Sequence, residues 1–376
     1  MNKNKISPEL LNEVSALSYS KNNAFISCSN FNKTKQFLDA YEYKYTPYRF
    51  ANCFLLDLDY NDLNILSNLD FVDYIEPNIK VSSCSFKKEL IHLDNLTENK
   101  YFGQNQTICF IDTGLHPHFD FIFPHSKILK FIDLVEKYTE PYDDNGHGTF
   151  VAGVACGNGI YSTERKGIAP LANIVSIKAL NKKGNSNSNI ILDAMQWVYE
   201  NHKVYNISVV CMSFGADTQD ETNPLSNGAE ALWKAGITVV AAAGNSGPSK
   251  NTIKSPGDNP YIITVGALDA SKMKTAEFSS RGPTIYGHKP DLIAPAVAIT
   301  SCNNTALPYT NMSGTSVATP IVAAICAIIK SKYPKFTNND IKKFLLNNCT
   351  HITGDIDTEG AGYLNFENLY NNKSLW

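Results

Sequence analysis

The sequence lacks an excess of charge of either sign. Its 376 residues carry 33 lysines and arginines against 36 aspartates and glutamates, which leaves a formal net charge of -3 at pH 7. Because the basic and acidic residues are nearly equal in number, they produce no strong field that would attract nucleic acid or an anionic membrane surface. We therefore expect neither nucleic acid nor a membrane as a partner.

Long hydrophobic runs are missing as well. The longest, residues 321–329, is much shorter than the roughly 20 residues that a helix needs to cross a bilayer, and it predicts a buried helix instead. The opening residues, MNKNKISPELLNE, never build the apolar segment of a secretory signal. We expect a cytoplasmic protein without a membrane anchor.

Cysteine spacing excludes two further classes. The nine cysteines form an odd set without a CxxC pair, which argues against a disulfide framework and against a zinc site. Cys109, Cys211 and Cys326 lie in apolar segments, so we interpret them as buried structural thiols and not as nucleophiles. Three histidines have no ligand-like spacing and are predicted to be loop residues: His116, His118 and His125.

A small module is predicted at the start of the chain. Its segments read strand, helix, strand, strand, helix, strand, the order of a split βαβ, ferredoxin-like fold. They are residues 24–29, 33–43, 45–50, 53–59, 60–69 and 71–81. A polar stretch at 82–100 separates this module from the rest, and we place the domain boundary there, giving domains 1–85 and 86–376.

The second region alternates apolar strands with helices. Strands are predicted at 107–111, 174–180, 207–214, 237–243 and 261–266, and helices at 189–201, 225–235, 316–331 and 338–347. Continuous apolar strands separated by helices imply an α/β fold with a mainly parallel sheet covered on both faces. Sites in such sheets form at the carboxyl ends of the strands.

Three reactive side chains fall where such a sheet would present them. Asp112 ends an apolar strand, His147 lies between two glycines, and Ser316 begins an apolar helix. Each has a simpler reading, as a turn or ligand aspartate, a loop histidine and an N-cap serine. Their occurrence together in the order Asp, His, Ser is specific to one of the known arrangements of a catalytic triad.

The residues around these side chains resemble the signatures of the subtilase family. The matching stretches are IDTG at 111–114, NGHGTFVAG at 145–153, NMSGTSVATP at 311–320 and, for the oxyanion hole, AAAGNSG at 241–247. Further matches at 167–170, 278–283 and 290–295 extend the likeness over most of residues 100–370. The stretch PYDDNGHGT at 141–149 resembles intracellular AprX-type subtilases, with clostridial spore-germination subtilases as a second candidate subgroup.

The resemblance implies a subtilisin-like three-layer fold and a serine endopeptidase that works through an acyl-enzyme. It gives catalytic roles to Asp112, His147 and Ser316 and an oxyanion-hole role to Asn245. Substrate would bind as an extended strand along residues 183–186 and 213–215. The residues implied to contact it are Gly184, Ser213, Phe214, Gly215, Ala242 and Gly244.

The family also implies a role for the first module. Residues 1–85 would be a prodomain that assists folding and places its tail in the active-site cleft, with self-cleavage between residues 81 and 86. The expected partners are thus protein or peptide substrates and the chain's own prodomain. No cofactor is required for the chemistry. A structural calcium ion stays open and unassigned, because loop 157–166 lacks the paired asparagines of secreted subtilisins and only Asp120 offers an oxygen ligand.

Three alternative functions remain at this point. A subtilase fold without turnover would be a regulatory or binding protein, although the intact set of Asp112, His147, Ser316 and Asn245 argues against it. An enzyme held by an uncleaved prodomain would act on one partner, as in spore germination. An acyltransferase could use the same triad.

Overall fold

The computed structural model describes residues 1–8, 10–11, 21–83, 101–217 and 223–364. Its first module contains β1 (Asn22–Cys28), α1 (Phe31–Ala40), β2 (Tyr45–Tyr48), β3 (Cys53–Leu58), α2 (Tyr60–Leu66) and β4 (Val72–Pro77). The strands form an antiparallel sheet in the order β2, β3, β1, β4. The order of the elements is the one that the sequence predicts.

The sheet of this module is covered on both faces. Successive residues of a strand point to opposite faces, and β1 is buried continuously from Ala24 onwards. Ile26 shares a core with Leu38 and Leu63 of the two helices. Phe25, one position away in the strand, belongs to the core of the second region. The first module is therefore packed onto the second region through one face of its sheet.

The second region is built around a ten-stranded sheet. Its strands are β6 (Thr107–Asp112), β7 (Ile128–Asp133), β8 (Asn173–Lys178), β10 (Ile207–Met212), β12 (Thr238–Ala242), β13 (Ile263–Asp269), β14 (Lys274–Thr275), β15 (Leu292–Pro295), β18 (Cys349–Thr350) and β19 (Tyr363–Leu364). They run in the order β18, β19, β15, β13, β12, β10, β6, β8, β7, with β14 on β13. All neighbours pair in parallel except β13 with β14 and β18 with β19, so the mainly parallel sheet is confirmed.

Helices enclose this sheet. They are α3 (Phe119–Ile122), α4 (His147–Cys156), α5 (Ser188–Asn201), α6 (Pro224–Lys234), α7 (Thr315–Lys332), α8 (Asn338–Asn347) and α9 (Ile356–Glu359). Helices α4 and α7 pack against each other, as do α5 and α6. Because β6, β12 and β13 are buried at every position, both faces of the central sheet are covered.

Two smaller sheets and three 3₁₀ turns complete the described chain. A hairpin pairs β16 (Ile299–Cys302) with β17 (Tyr309–Met312). A three-stranded sheet has β5 (Lys80–Ser83) between β9 (Asn185–Asn187) and β11 (Phe214–Gly215). The 3₁₀ turns span Lys3–Lys5, Arg49–Ala51 and Thr163–Arg165.

Helix α7 contains the apolar run noted in the sequence. Its length and composition would suffice to cross a membrane, but 83% of its 18-residue window is buried inside the protein. This agrees with the buried helix predicted at 321–329.

The sequence prediction missed several short strands. It omitted β7, β15 and the hairpin of β16 and β17, which are only four to six residues long. Apolar runs of this length do not show which secondary structure they adopt, because both a strand and a buried helix segment fit them.

Candidate active site

The predicted site residues lie at one edge of the main sheet. Asp112 is the last residue of β6, Ser213 follows β10, and Asn245 lies shortly after β12. β10 pairs in parallel with both β6 and β12. Three neighbouring strands therefore deliver these side chains to the same carboxyl edge, where sites in parallel sheets form.

Asp112 and His147 form a buried hydrogen-bonded pair. Nδ1 of His147 lies 2.7 Å from Oδ1 of Asp112, with the side chains 2% and 1% exposed. The carboxylate has no proton to donate, so Nδ1 carries the hydrogen and Nε2 of the neutral ring is left as an acceptor. Within the described part of the chain, Nε2 is buried without a hydrogen-bond partner. The ring is thus held in the form that can accept a proton.

The carboxylate also determines the pKa of the histidine. Burial by itself lowers the pKa of His147, but the charge and the hydrogen bond of Asp112 together with the charge of Asp143 outweigh burial, and the pKa is raised above its ordinary value. His147 in this structure is therefore a stronger base than a histidine in water.

Asp143 holds the start of helix α4, on which His147 lies. Its carboxylate accepts hydrogen bonds from the N–H groups of Gly146 and Thr149 at 2.8 and 2.9 Å. It also accepts from the hydroxyls of Thr149 and Thr113 at 2.7 and 2.9 Å. Sequence reasoning gave Asp143 no role, although an aspartate just before a helix start is a recognisable capping signal.

A glycine beside His147 permits the close approach of α4 to β6. A Cβ atom at Gly148 would overlap the carbonyl oxygen of Gly114 and lie 3.2 Å from the Cβ atom of Asp112. The N–H group of Gly148 donates to the Thr113 hydroxyl at 2.8 Å. Only glycine lets the first turn of α4 approach closely enough for His147 to reach Asp112.

Ser316 lies in the first turn of helix α7 and is fully buried. Its carbonyl oxygen accepts a hydrogen bond of 3.0 Å from the hydroxyl of Ser213. This bond ties the start of α7 to the end of β10, next to the strand that carries Asp112. The positive end of the helix dipole favours negative charge beside Ser316.

Asn245 is oriented by the residue next to Ser316. The N–H group and the hydroxyl of Thr315 both donate to Oδ1 of Asn245, at 3.0 and 2.9 Å. Nδ2 of Asn245 is buried and, among the described residues, has no acceptor. Its N–H groups are therefore available to a ligand. Sequence reasoning missed Thr315, since nothing in its residue type indicates this role.

The predicted substrate-binding edges flank a segment of the chain itself. In β5, Val81 lies opposite Ser186 of β9, and Ser83 lies opposite Phe214 of β11. Both pairings are antiparallel. Gly184 precedes β9 in a turn that is closed by its N–H bond of 2.8 Å to Asn181.

The surroundings of Asp120 do not fit a calcium ion. Its carboxylate accepts the N–H groups of Gly159 and Ile160, both at 2.9 Å. The nearby ammonium of Lys127 binds the carbonyl oxygens of Cys156 and Pro170 at 2.5 and 2.8 Å and Oδ1 of Asn158 at 2.6 Å. Calcium needs six to eight oxygen ligands. Here the loop directs N–H donors at the carboxylate, and the Lys127 ammonium already binds the neighbouring carbonyl oxygens.

His118 differs from the predicted loop histidine. It is buried, and one of its ring nitrogens lies within 4.8 Å of a carboxylate oxygen of Asp120 and of Sγ of Cys302. These atoms already have protein partners, because Nε2 is 2.8 Å from the Pro308 oxygen and Nδ1 accepts the Asp120 N–H at 3.1 Å. The trio is therefore a bonded core cluster that the spacing of its residues did not reveal.

The cysteines are free thiols wherever the structure describes them. Cys109, Cys211 and Cys326 are buried, and burial raises the pKa of each thiol. A raised pKa keeps the thiol protonated and unreactive. Their interpretation as structural residues is confirmed.

Comparisons with known proteins agree with the motifs. The profile of the Subtilase family matches residues 103–368. Serine protease AprX of Bacillus subtilis (strain 168) is 40% identical over 296 residues, which cover 71% of this chain and 66% of the relative. Subtilisin DY of Bacillus licheniformis is 34% identical over 285 residues, covering 74% and 95%. Subtilisin E of Bacillus subtilis (strain 168) is 31% identical over 332 residues, covering 85% and 81%.

The fold and these matches define a subtilisin-like α/β protein. The chain belongs to the subtilase family of serine endopeptidases. The resemblance to AprX-type subtilases expected from the motifs is confirmed.

Proposed function

We propose that this chain hydrolyses peptide bonds through Asp112, His147 and Ser316, with Asn245 in the oxyanion hole. The observation that carries the proposal is the buried Nε2 of His147, held as an acceptor by the 2.7 Å contact between Nδ1 and Asp112. A serine hydroxyl needs such a base to attack a carbonyl group at neutral pH.

The proposed reaction gives each of these side chains one role. His147 takes the proton of Ser316 at Nε2 while Oγ of the serine attacks the scissile carbonyl carbon. Asp112 keeps the ring in the required tautomer and stabilises the imidazolium that forms. The amine leaves with the proton from His147, and a water molecule then releases the acyl group by the same route.

The oxyanion needs donors that are already in place. Nδ2 of Asn245 is such a donor, because Thr315 occupies Oδ1 and fixes which end of the amide faces the site. The N–H group of Ser316 at the start of α7 is the second. Donors that need no reorganisation during the reaction provide a large share of the rate enhancement in such enzymes.

Substrates would bind as a strand between β9 and β11, with Gly184 and Ser213 next to these edges. Ser213, Phe214, Gly215, Ala242 and Gly244 would border the pocket for the residue before the scissile bond. Main-chain hydrogen bonds supply affinity with little sequence information, so protein and peptide substrates of many sequences would be accepted at the outer positions.

Residues 1–85 would act as a ferredoxin-like prodomain ahead of a catalytic domain at 86–376. Two observations support this. The sheet of the module packs on α5 and α6, where the Tyr48 hydroxyl donates to Asp193 at 2.9 Å. β5 pairs with both β9 and β11, where the proposal puts the substrate strand, and Ser83 lies opposite Phe214, one position short of Ser213. Self-cleavage would follow directly after this strand, within the interval 83–86.

An intracellular location is supported by the thiols. The eight described cysteines are free, which is typical of a reducing compartment. Labelling of thiols in intact cells and in lysates would test the location. Disulfide-bonded protein recovered from the culture medium would contradict it.

Casein hydrolysis tests the function. The wild-type protein should degrade casein and should be labelled stoichiometrically on Ser316 by a serine-directed phosphonylating reagent. Ser316→Ala should do neither. A wild-type protein that neither degrades casein nor takes up the label would instead favour a regulatory or binding protein.

A further inference from the structure

Lys254 is held between the two walls of the proposed pocket. Its N–H group donates to the carbonyl oxygen of Ala243 at 2.9 Å. The next residue, Ser255, exchanges backbone hydrogen bonds of 2.9 and 3.0 Å with Ala216. One wall contains Gly215 and the other Gly244, so these bonds fix the backbone of Lys254 beside both.

The side chain of Lys254 fills the space that the two glycines leave. A Cβ atom on either Gly215 or Gly244 would overlap the Cβ or Cγ atom of Lys254. The lysine side chain is 15% exposed, and its ammonium group pairs with the carboxylate of Asp217, which is 90% exposed. The stem is thus enclosed, while the counterion stands in solvent.

Lys254 is charged, whereas the residues proposed to border the pocket are not. Ser213, Phe214, Gly215, Ala242 and Gly244 are all uncharged. An ion pair with an exposed carboxylate is weak, because water competes for both groups. A carboxylate that enters the pocket loses that competing water and forms a stronger, charge-assisted hydrogen bond.

We infer that Lys254 selects substrates with a glutamate or aspartate immediately before the scissile bond, the incoming carboxylate replacing that of Asp217. This inference rests on the proposed peptidase function and adds a preference to it. The substrate class is then proteins and peptides cut after acidic residues.

The test uses matched chromogenic peptides that differ only in the residue before the scissile bond, which is Glu, Gln, Leu or Lys. The enzyme is the full chain as purified, and active sites are counted with a phosphonylating reagent. Glu and Gln have nearly the same shape, so their ratio of kcat/KM isolates the charge. We expect the wild type to favour Glu over Gln by about 10- to 100-fold, the range for one hydrogen bond to a charged group.

Two variants assign the preference to Lys254. Lys254→Met should lower the Glu to Gln ratio to near one while keeping turnover of the Gln and Leu peptides, which also shows that the variant is folded. Asp217→Asn, which keeps the ammonium and removes its partner, should retain or increase the ratio. Lys254→Gln provides a second neutral variant should the methionine disturb folding.

Several results would overturn the inference. A wild-type ratio near one excludes a role for the charge, and a ratio that survives in both neutral variants assigns the preference to another residue. In both cases the peptides are still hydrolysed, so the proposed function stands. Lack of turnover with every peptide and lack of label on Ser316 would overturn the proposed function, and this inference with it.

Discussion

Nδ1 of His147 lies 2.7 Å from Oδ1 of Asp112, and both side chains are buried. Burial disfavours the charged imidazolium, whereas the carboxylates of Asp112 and Asp143 favour it, and together they prevail. Because the pKa of His147 is raised as a net result, the role of this pair can be tested by the pH dependence of activity and stability.

Activity should fall on the acid side as His147 becomes protonated. Because the pKa of His147 is raised, the midpoint of this loss should lie above the ordinary histidine value of about 6.5. In Asp112→Asn the stabilising charge is gone, so the midpoint should move to lower pH while kcat falls by about 10,000-fold. Profiles of kcat/KM against pH measure both effects. An unchanged midpoint in the variant would show that another group controls the acid limb.

The same pair contributes to stability in a pH-dependent way. A histidine whose pKa is raised on folding stabilises the native state fully below its unfolded pKa, and the contribution disappears as the pH rises through the folded pKa. The free energy of unfolding of Ser316→Ala, measured against that of Ser316→Ala with Asp112→Asn, should differ most on the acid side of this range.

Removal of the Asn245 amide should affect turnover and leave folding intact. Asn245→Ala should lower kcat by about 100- to 1,000-fold, with KM and the thermal midpoint little changed. Asn245→Asp keeps an oxygen for Thr315 but replaces the donor by a negative charge that repels the oxyanion, so it should be impaired at least as much. Wild-type turnover in either variant would remove Asn245 from the oxyanion hole.

Thr315 should act as a positioning residue. Thr315→Val removes the hydroxyl that donates to Asn245 at 2.9 Å but retains the N–H bond. We expect a drop in kcat of about tenfold, the effect of one neutral hydrogen bond, with little change in KM. Thr315→Ser restores the hydroxyl and should recover kcat. A loss in both variants would point to packing instead.

Asp143 should stabilise the helix that carries His147. Asp143→Ala deprives the two N–H groups and two hydroxyls described above of their acceptor. We expect the free energy of unfolding to fall by about 1–3 kcal/mol, because buried donors lose their partner. Denaturant unfolding in the Ser316→Ala background, where self-digestion is prevented, measures this. Glu140→Ala, which removes an exposed carboxylate three residues away, is the control for loss of a nearby negative charge.

Lys127 should stabilise the loop beside Asp120 without calcium. Burial lowers the pKa of Lys127 to about 8. Lys127→Met should cost about 1–3 kcal/mol of unfolding free energy, since the carbonyl oxygens of Cys156 and Pro170 lose their donor. Treatment with a calcium chelator should leave the thermal midpoint of the wild type unchanged. A midpoint that falls on chelation and recovers with calcium would show that an ion is bound.

Much of the fold could be predicted because its signals are local. The central strands are continuous apolar runs, and the long helices show regular spacing, so both were found from sequence patterns. The short strand β15 and the hairpin of β16 and β17 depend on partners distant in the chain, which no local pattern reveals.

The candidate site also has residues that local motifs predict and residues that only the folded structure reveals. Asp112, His147, Ser316 and Asn245 lie in recognisable motifs, and the structure brings the first two into contact and the others to the same sheet edge. Thr315 and Lys254 escaped sequence reasoning because their importance lies in what they touch. Lys254 stands in an unremarkable loop sequence and lies beside Gly215 and Gly244 only because that loop folds onto Ala216 and Ala243.

The most direct test is the intact mass of freshly purified wild-type protein beside that of Ser316→Ala, followed by casein hydrolysis with both. We expect a smaller wild-type mass that places a cut between residues 83 and 86, a full-length mass for Ser316→Ala, and hydrolysis by the wild type alone. Equal full-length masses and no hydrolysis by either protein would contradict the proposal that Ser316 cleaves peptide bonds, including the bond that follows β5 in the chain.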